Sequence, residues 1–165
     1  MIPVPVYRLS SIVPALALCA CASYSGSSLQ AGSSTEAEVR ATMGTPAVEF
    51  ANPDGTRDLF FPRGPVGTET FRAKVRSDAV LREIRNVLTD DTFSAIRAGM
   101  TEQEILRTIG PPGKTMRFPG SSTHAWDYRY VDTWGYDAIF SVTFDANNIV
   151  LSKLTTRIEG RERRR

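Results

Sequence analysis

Apolar residues along the chain fall into two helical spacings, each followed by runs that alternate. Val39 and Met43 stand four residues apart, as do Ile105 and Ile109, so each pair shares one helical face. Thr35 with Glu38, and Thr101 with Glu104, have the spacing of a capping box, in which hydroxyl and carboxylate each satisfy a backbone N–H orphaned at a helix start. Gly44 and Gly110 predict left-handed C-terminal caps, and Pro46 and Pro112 prevent continuation. Isolated helices shorter than about 12 residues are marginal, so both apolar faces need a sheet.

The strand signals follow in turn. His124, Trp126, Tyr128 and Tyr130 alternate with Ala125, Asp127 and Arg129, and Ala138, Phe140, Val142 and Phe144 alternate with Ile139, Ser141 and Thr143. Asp145-Ala146-Asn147-Asn148 is turn chemistry, after which residues 149–155 read as a third strand. Earlier in the chain the counterparts are 57–61, 70–76 and 80–88, with Ser77-Asp78 in the turn. Thr89 and its successors predict an N-cap and a further short helix ending by Gly99.

The two halves are copies. Thr35-Glu36-Ala37-Glu38-Val39-Arg40-Ala41-Thr42-Met43-Gly44-Thr45-Pro46 recurs 66 residues later as Thr101-Glu102-Gln103-Glu104-Ile105-Leu106-Arg107-Thr108-Ile109-Gly110-Pro111-Pro112. At the same offset Leu59-Phe60-Phe61 lies opposite Ala125-Trp126-Asp127, and farther on Val80 to Ile84 lies opposite Val150 to Leu154. Such a repeat decides the architecture. The expected fold is α+β: two tandem units, each with one or more short helices packed on a three-stranded antiparallel sheet. The divisions are a signal peptide at 1–20, a flexible Ser/Gly/Ala-rich tether at 21–34, a degenerate first unit at 35–88, a second unit at 89–158 and a basic tail at 159–165. A unit of about 60 residues buries only about 60% of its unfolded surface, so the two are expected to pack together.

The ends of the chain add location. Arg8 and the short apolar run from Leu9 to Ala20 read as an export signal, too short to span a bilayer. Leu18-Cys19-Ala20-Cys21 resembles a bacterial lipobox, making Cys21 the acylated N-terminus; cleavage near Ala22 as an ordinary secretory peptide is the competing reading. Each buried methylene of an acyl chain contributes about 0.8 kcal/mol, so two or three chains anchor a protein stably. Ala22, where an aspartate would signal retention at the inner membrane in the lipoproteins this resembles, favours the outer membrane. With residues 1–20 removed, Cys21 is the sole cysteine and no internal disulfide can form.

Charge narrows the partners little. Without Arg8 the chain holds 19 basic and 18 acidic residues; without the Arg161-Glu162-Arg163-Arg164-Arg165 tail as well, 15 and 17. The tail reads as solvated or as a contact for anionic headgroups. Export argues against a nucleic-acid partner.

Ile96-Arg97-Ala98-Gly99-Met100-Thr101 through Ile109-Gly110-Pro111-Pro112, then Trp126-Asp127-Tyr128 and Val142-Thr143-Phe144-Asp145, resemble the SmpA/OmlA (BamE-like) family of outer-membrane lipoproteins. In the first copy Phe60 stands in for the tryptophan and Arg76 for the hairpin aspartate. The tandem arrangement is also similar to that of the β-lactamase inhibitor proteins. The resemblance implies a non-catalytic, lipid-anchored protein on the periplasmic face of the outer membrane. It would dock to envelope or outer-membrane proteins, the β-barrel assembly machinery among them, and support barrel assembly or envelope integrity. The alternative is a periplasmic protein-binding or inhibitor module unrelated to barrel assembly.

Catalytic chemistry has little footing. His124 is the one histidine and sits in a strand pattern, as a packed structural residue would; Asp90 and Asp91 read as helix-start residues. No nucleophile elbow, phosphate loop or zinc motif is present, so no catalytic residue, metal site or cofactor is expected. Binding rests on the aromatics. Trp126 and Tyr128 read as core, whereas Trp134, Gly135 and Tyr136 fall in a hairpin loop, and Arg63 and Val66 in a Pro/Gly-rich loop. Those five residues are the candidate partner contacts, each loop having simple hairpin connection as its competing reading.

Overall fold

The computed structural model describes residues 26–64 and 66–158. Helix α1 (Glu36–Met43) precedes strands β1 (Val48–Ala51), β2 (Arg57–Pro62), β3 (Thr70–Val75) and β4 (Leu81–Asn86). Helices α2 (Asp90–Ser94) and α3 (Glu102–Ile109) precede β5 (Lys114–Arg117), β6 (His124–Val131), β7 (Asp137–Phe144) and β8 (Val150–Arg157). The strands form two antiparallel meanders, β1-β2-β3-β4 and β5-β6-β7-β8. The sheets are therefore four-stranded, one strand more than the alternation predicts. Val48-Glu49-Phe50-Ala51 and Lys114-Thr115-Met116-Arg117 are short edge strands whose residues are half-buried or exposed, so little hydrophobic pattern marks them.

Both long helices start as their capping boxes demand. The Thr35 N–H donates to Glu38 Oε2 at 2.7 Å and the Glu38 N–H to Thr35 Oγ1 at 3.3 Å; Thr101 and Glu104 repeat this at 2.7 and 3.2 Å. The cap glycines have positive φ, +87° at Gly44 and +77° at Gly110, but ψ of −158° and −169°, an extended region that only glycine occupies readily, in place of the left-handed helical cap expected. Each cap N–H still closes its helix, onto Arg40 O and Leu106 O.

The register of the sheets corrects the sequence alignment of the copies. Leu59 pairs with Ala73 in the first unit and Trp126 with Val142 in the second, and both β3–β4 and β7–β8 carry an irregularity at the same place, next to Val75 and Phe144. Leu59, and not Phe60, is thus the counterpart of Trp126. A repeated side-chain contact fixes the same phase: Glu36 meets the Arg57 guanidinium as Glu102 meets the His124 ring, each from the first residue of its unit's second strand. A slip of one residue moves a strand's side chains to the other face, and the consequence is large. Leu59 and Phe61 join Val39, Met43, Ala73, Val75 and Leu81 in the core beneath α1, while Phe60 faces away and is buried in the core of the second unit.

Contacts between units follow from that face. Phe60, which meets Phe50 of its own unit edge-on at 6.0 Å, joins the second core, the Arg107 guanidinium lies 4.4 Å from the Phe50 ring, and Val48 and Phe50 pack against the same core. The layers run α1, first sheet, α2 and α3, second sheet. Under α2, Phe93 stacks on Phe140 at 3.9 Å and meets Tyr130 edge-on at 4.8 Å. Residues 26–34, expected to belong to the tether, are docked instead: the Gly32 N–H donates to Leu81 O and the Leu81 N–H to Ser34 O, covering the start of β4. The second unit does the same with Gly99 and Met100 at Val150.

Candidate docking surface

The β6–β7 turn carries Trp134, the most exposed large apolar side chain among the described residues. Asp132, buried at the end of β6, accepts the N–H groups of Trp134 and Tyr136 on Oδ1 at 3.0 and 2.9 Å and the Arg157 Nε on Oδ2 at 2.7 Å. Burial pushes its carboxyl pKa up, yet the Tyr136 N–H and the Arg157 guanidinium outweigh that and hold it below the ordinary range. The Arg157 guanidinium also lies 4.8 Å from the Tyr136 ring centroid. A second carboxylate braces the turn from α2: Asp90 Oδ2 accepts the Thr133 N–H and hydroxyl at 2.8 and 2.6 Å, and Oδ1 accepts the Tyr130 hydroxyl at 2.7 Å. The Thr133 hydroxyl, foremost, holds Asp90 below its usual pKa, while burial and then Asp90 push Tyr130 up to about 12.

Within this frame Trp134 is 78% exposed and Tyr136 45%. Gly135, at φ +85°, makes the bend between them. An indole held out on a backbone pinned by two carboxylates loses little freedom on binding, which makes it a suitable anchor for a protein partner. The sequence marks the aromatics of this turn but not its bracing: Asp90 reads there as a helix-start residue, with no sign that it reaches 43 positions along the chain.

The Arg63 and Val66 loop lies apart, at the end of β2. Val66 is 71% exposed, Arg63 sits 5.1 Å from the Phe71 ring, and its N–H bonds Glu69 O at 3.0 Å. The loop borders a cleft of about 230 Å³ between the units, walled by Pro62, Glu69, Pro111, Pro112, Tyr128 and Arg129 among others. His124 stacks on Phe144 at 5.1 Å and its Nε2 bonds Glu102 Oε1, so its ring is engaged by the fold. Cys21 lies outside the described residues. No helix among the described residues is long and apolar enough to cross a membrane.

Residues 85–153 match the family model of the outer membrane protein assembly factor BamE domain. The match opens in β4 and runs into β8, so the similarity covers the second unit. No curated protein sequence matches the chain. Among solved structures, a protein described as an osmotically inducible lipoprotein, OsmE, shares 24% identity over 40% of this chain and 75% of its own, with a TM-score of 0.36. The YjgB protein of Bacillus subtilis shares 17% over 80% and 84%, at 0.32, and a protein described as a β-lactamase inhibitor from Streptococcus mutans 11% over 74% and 82%, at 0.31. Superpositions this loose carry no argument about function.

Proposed function

We propose that this protein is a non-catalytic lipoprotein, anchored through acyl chains on Cys21 to the periplasmic face of the outer membrane. There it docks to an envelope protein through the Trp134 turn. The observation that carries the reading is the pairing of a BamE-like second unit with a braced, exposed Trp134. The lipobox-like Leu18 to Cys21 and Ala22 support the anchor. The barrel-assembly machinery is the first partner to examine, because the matched domain is named for that role.

The test is a crosslinked pull-down from intact cells with wild type and Trp134→Ala. Recovery of an assembly-machine subunit or another outer-membrane protein by wild type, and its loss in the variant, is the expected result. The reading fails if neither protein recovers an outer-membrane component, or if Trp134→Ala recovers it equally well. Full-strength binding of a soluble target by protein lacking Cys21 would favour the inhibitor-like alternative.

A further inference from the structure

The cleft between the units contains an unfinished sheet edge. β6 is eight residues long, yet β5 pairs only with His124 to Asp127. The ladder ends at the Gly113 N–H, which donates to Asp127 O at 3.0 Å, and the chain then leaves through Pro112 and Pro111, which cannot extend it as donors. Asp127 thus turns its backbone polar groups toward β5. By the two-residue repeat of a strand, so do Arg129 and Val131, opposite no strand among the described residues. On the other side of β6, β7 pairs with every residue from His124 to Val131.

The opening coincides with the cleft. Tyr128 and Arg129 form one wall, Pro62 and Glu69 of the first unit another, and Pro111 and Pro112 the end. Four residues of uncovered edge span about 13 Å at roughly 3.3 Å per residue. Arg129 adds a second, independent sign: its Nε is buried and has no hydrogen-bond partner among the described residues. A buried donor left unsatisfied is unfavourable. In a cleft that also holds Glu69, a guanidinium and a carboxylate distinguish the two ends of an incoming polar chain.

We propose that this cleft receives an extended peptide segment of a partner protein, which adds to the β6 edge in line with β5 and directs an acidic side chain to Arg129. Backbone pairing with Arg129 and Val131 supplies the affinity common to strand addition, and the acid supplies selectivity. The prolines on the walls keep the protein's own chain from filling the edge. This site depends neither on the lipid anchor nor on Trp134.

The probe is a set of acetylated heptapeptides of alternating Val and Thr with one central Asp, presented to the intact protein and read by amide hydrogen exchange. Slowed exchange at Arg129 and Val131 is expected, with no slowing by the same peptides N-methylated at alternate amides. Arg129→Gln should weaken the Asp peptides about ten- to a hundredfold, the range for a charge-assisted bond, and leave their Asn counterparts little changed. Arg129→Lys, which keeps the charge without the fork, should fall between, and Trp134→Ala should bind as wild type. The proposal is overturned if no peptide protects those two amides, if N-methylation makes no difference, or if Arg129→Gln binds the Asp peptides normally.

Discussion

The two cap glycines form an internal experiment on how the units hold together. A Cβ built on Gly44 would meet nothing within 4 Å, whereas one on Gly110 would come 2.8 Å from Phe60 Cδ1 and 3.1 Å from Thr70 Cγ2, both in the other unit. Each position has the positive φ that disfavours L side chains, so Gly44→Ala should lose about 1–3 kcal/mol from backbone strain alone. Gly110→Ala should lose that amount and a further 1–3 kcal/mol or so, the usual penalty of overpacking, because Phe60 is fully buried and cannot swing into solvent. Phe60→Ala, itself destabilising by about 3–5 kcal/mol, should abolish most of the excess at Gly110 and leave the Gly44 effect untouched. Urea unfolding of the three single and two double variants, in a sucrose buffer that keeps the weakest folded, measures the cycle. Equal losses at the two glycines, or an excess at Gly110 that survives Phe60→Ala, would refute the inter-unit packing.

Three further outcomes are expected. Ala79, at φ +61°, occupies the place that Asn148 holds at φ +63° in the second unit, so Ala79→Asn should gain about 0.5–1 kcal/mol by relieving left-handed strain; thermal unfolding no higher than wild type contradicts this. Asp90 and Asp132 are both held below their ordinary pKa, so their bracing is complete above the unfolded value of about 3.9 and is lost as pH falls through the folded values; Thr133 and Trp134 amide exchange, corrected for intrinsic rate, should hold steady down to about pH 4 and accelerate only below it, and acceleration that sets in well above about pH 4 would count against it. A fragment beginning at Thr89 would strip Phe60, Val48 and Phe50 from α3, and each fully buried large apolar side chain is worth about 1.5–3 kcal/mol. Such a fragment should unfold at lower urea than the whole chain, and a matching midpoint would show that the units are independent.

What the chain discloses before folding is set by how local each signal is. Capping boxes, cap glycines and the alternation of β6 and β7 involve neighbours a few positions apart, and the structure carries helices and strands there. The phase between copies is not local. A constant offset of 66 aligns the helices, but the strands follow at 67 and beyond because the connecting turns differ in length, and a shift of one residue exchanges the faces of β2. Hence Phe60 reads as a substitute tryptophan when it is the contact between units. Docking of residues 26–34 is hidden for a similar reason: Ser and Gly composition reports low hydrophobicity, while the order there comes from backbone bonds to Leu81 and from the lone Leu29 packed on the first core. The candidate surface divides in the same way. Trp134 stands out by type and turn position, but the reach of Asp90 to Thr133 and the open edge at Arg129 exist only after the elements pack.

The inequality of the two copies then has a physical basis. In the first, β2 is buried from Asp58 through Phe61 on both faces, because one face covers α1 and the other receives α3. Its counterpart β6 alternates buried and half-buried residues from Tyr128 on, and the face away from the helices carries Asp127, Arg129, Ile139, Ser141 and Leu154, all half-buried or exposed. The helices mirror the difference. Arg40 of α1 reaches solvent-side partners, bonding Glu49 through both terminal nitrogens at 2.9 and 2.8 Å, whereas Leu106 at the matching place in α3 is apolar, half-buried and packed against the core. A first unit held on both sides has spent its apolar surface on the second, so its sequence answers to packing and can lose the family pattern without losing the fold. The second unit keeps a free sheet face, a braced turn and an open edge, and it is over this unit that the BamE match runs. The proposed partner surface lies on the second unit, with the first as its buttress, and such a division of roles fits both the match and the degeneracy.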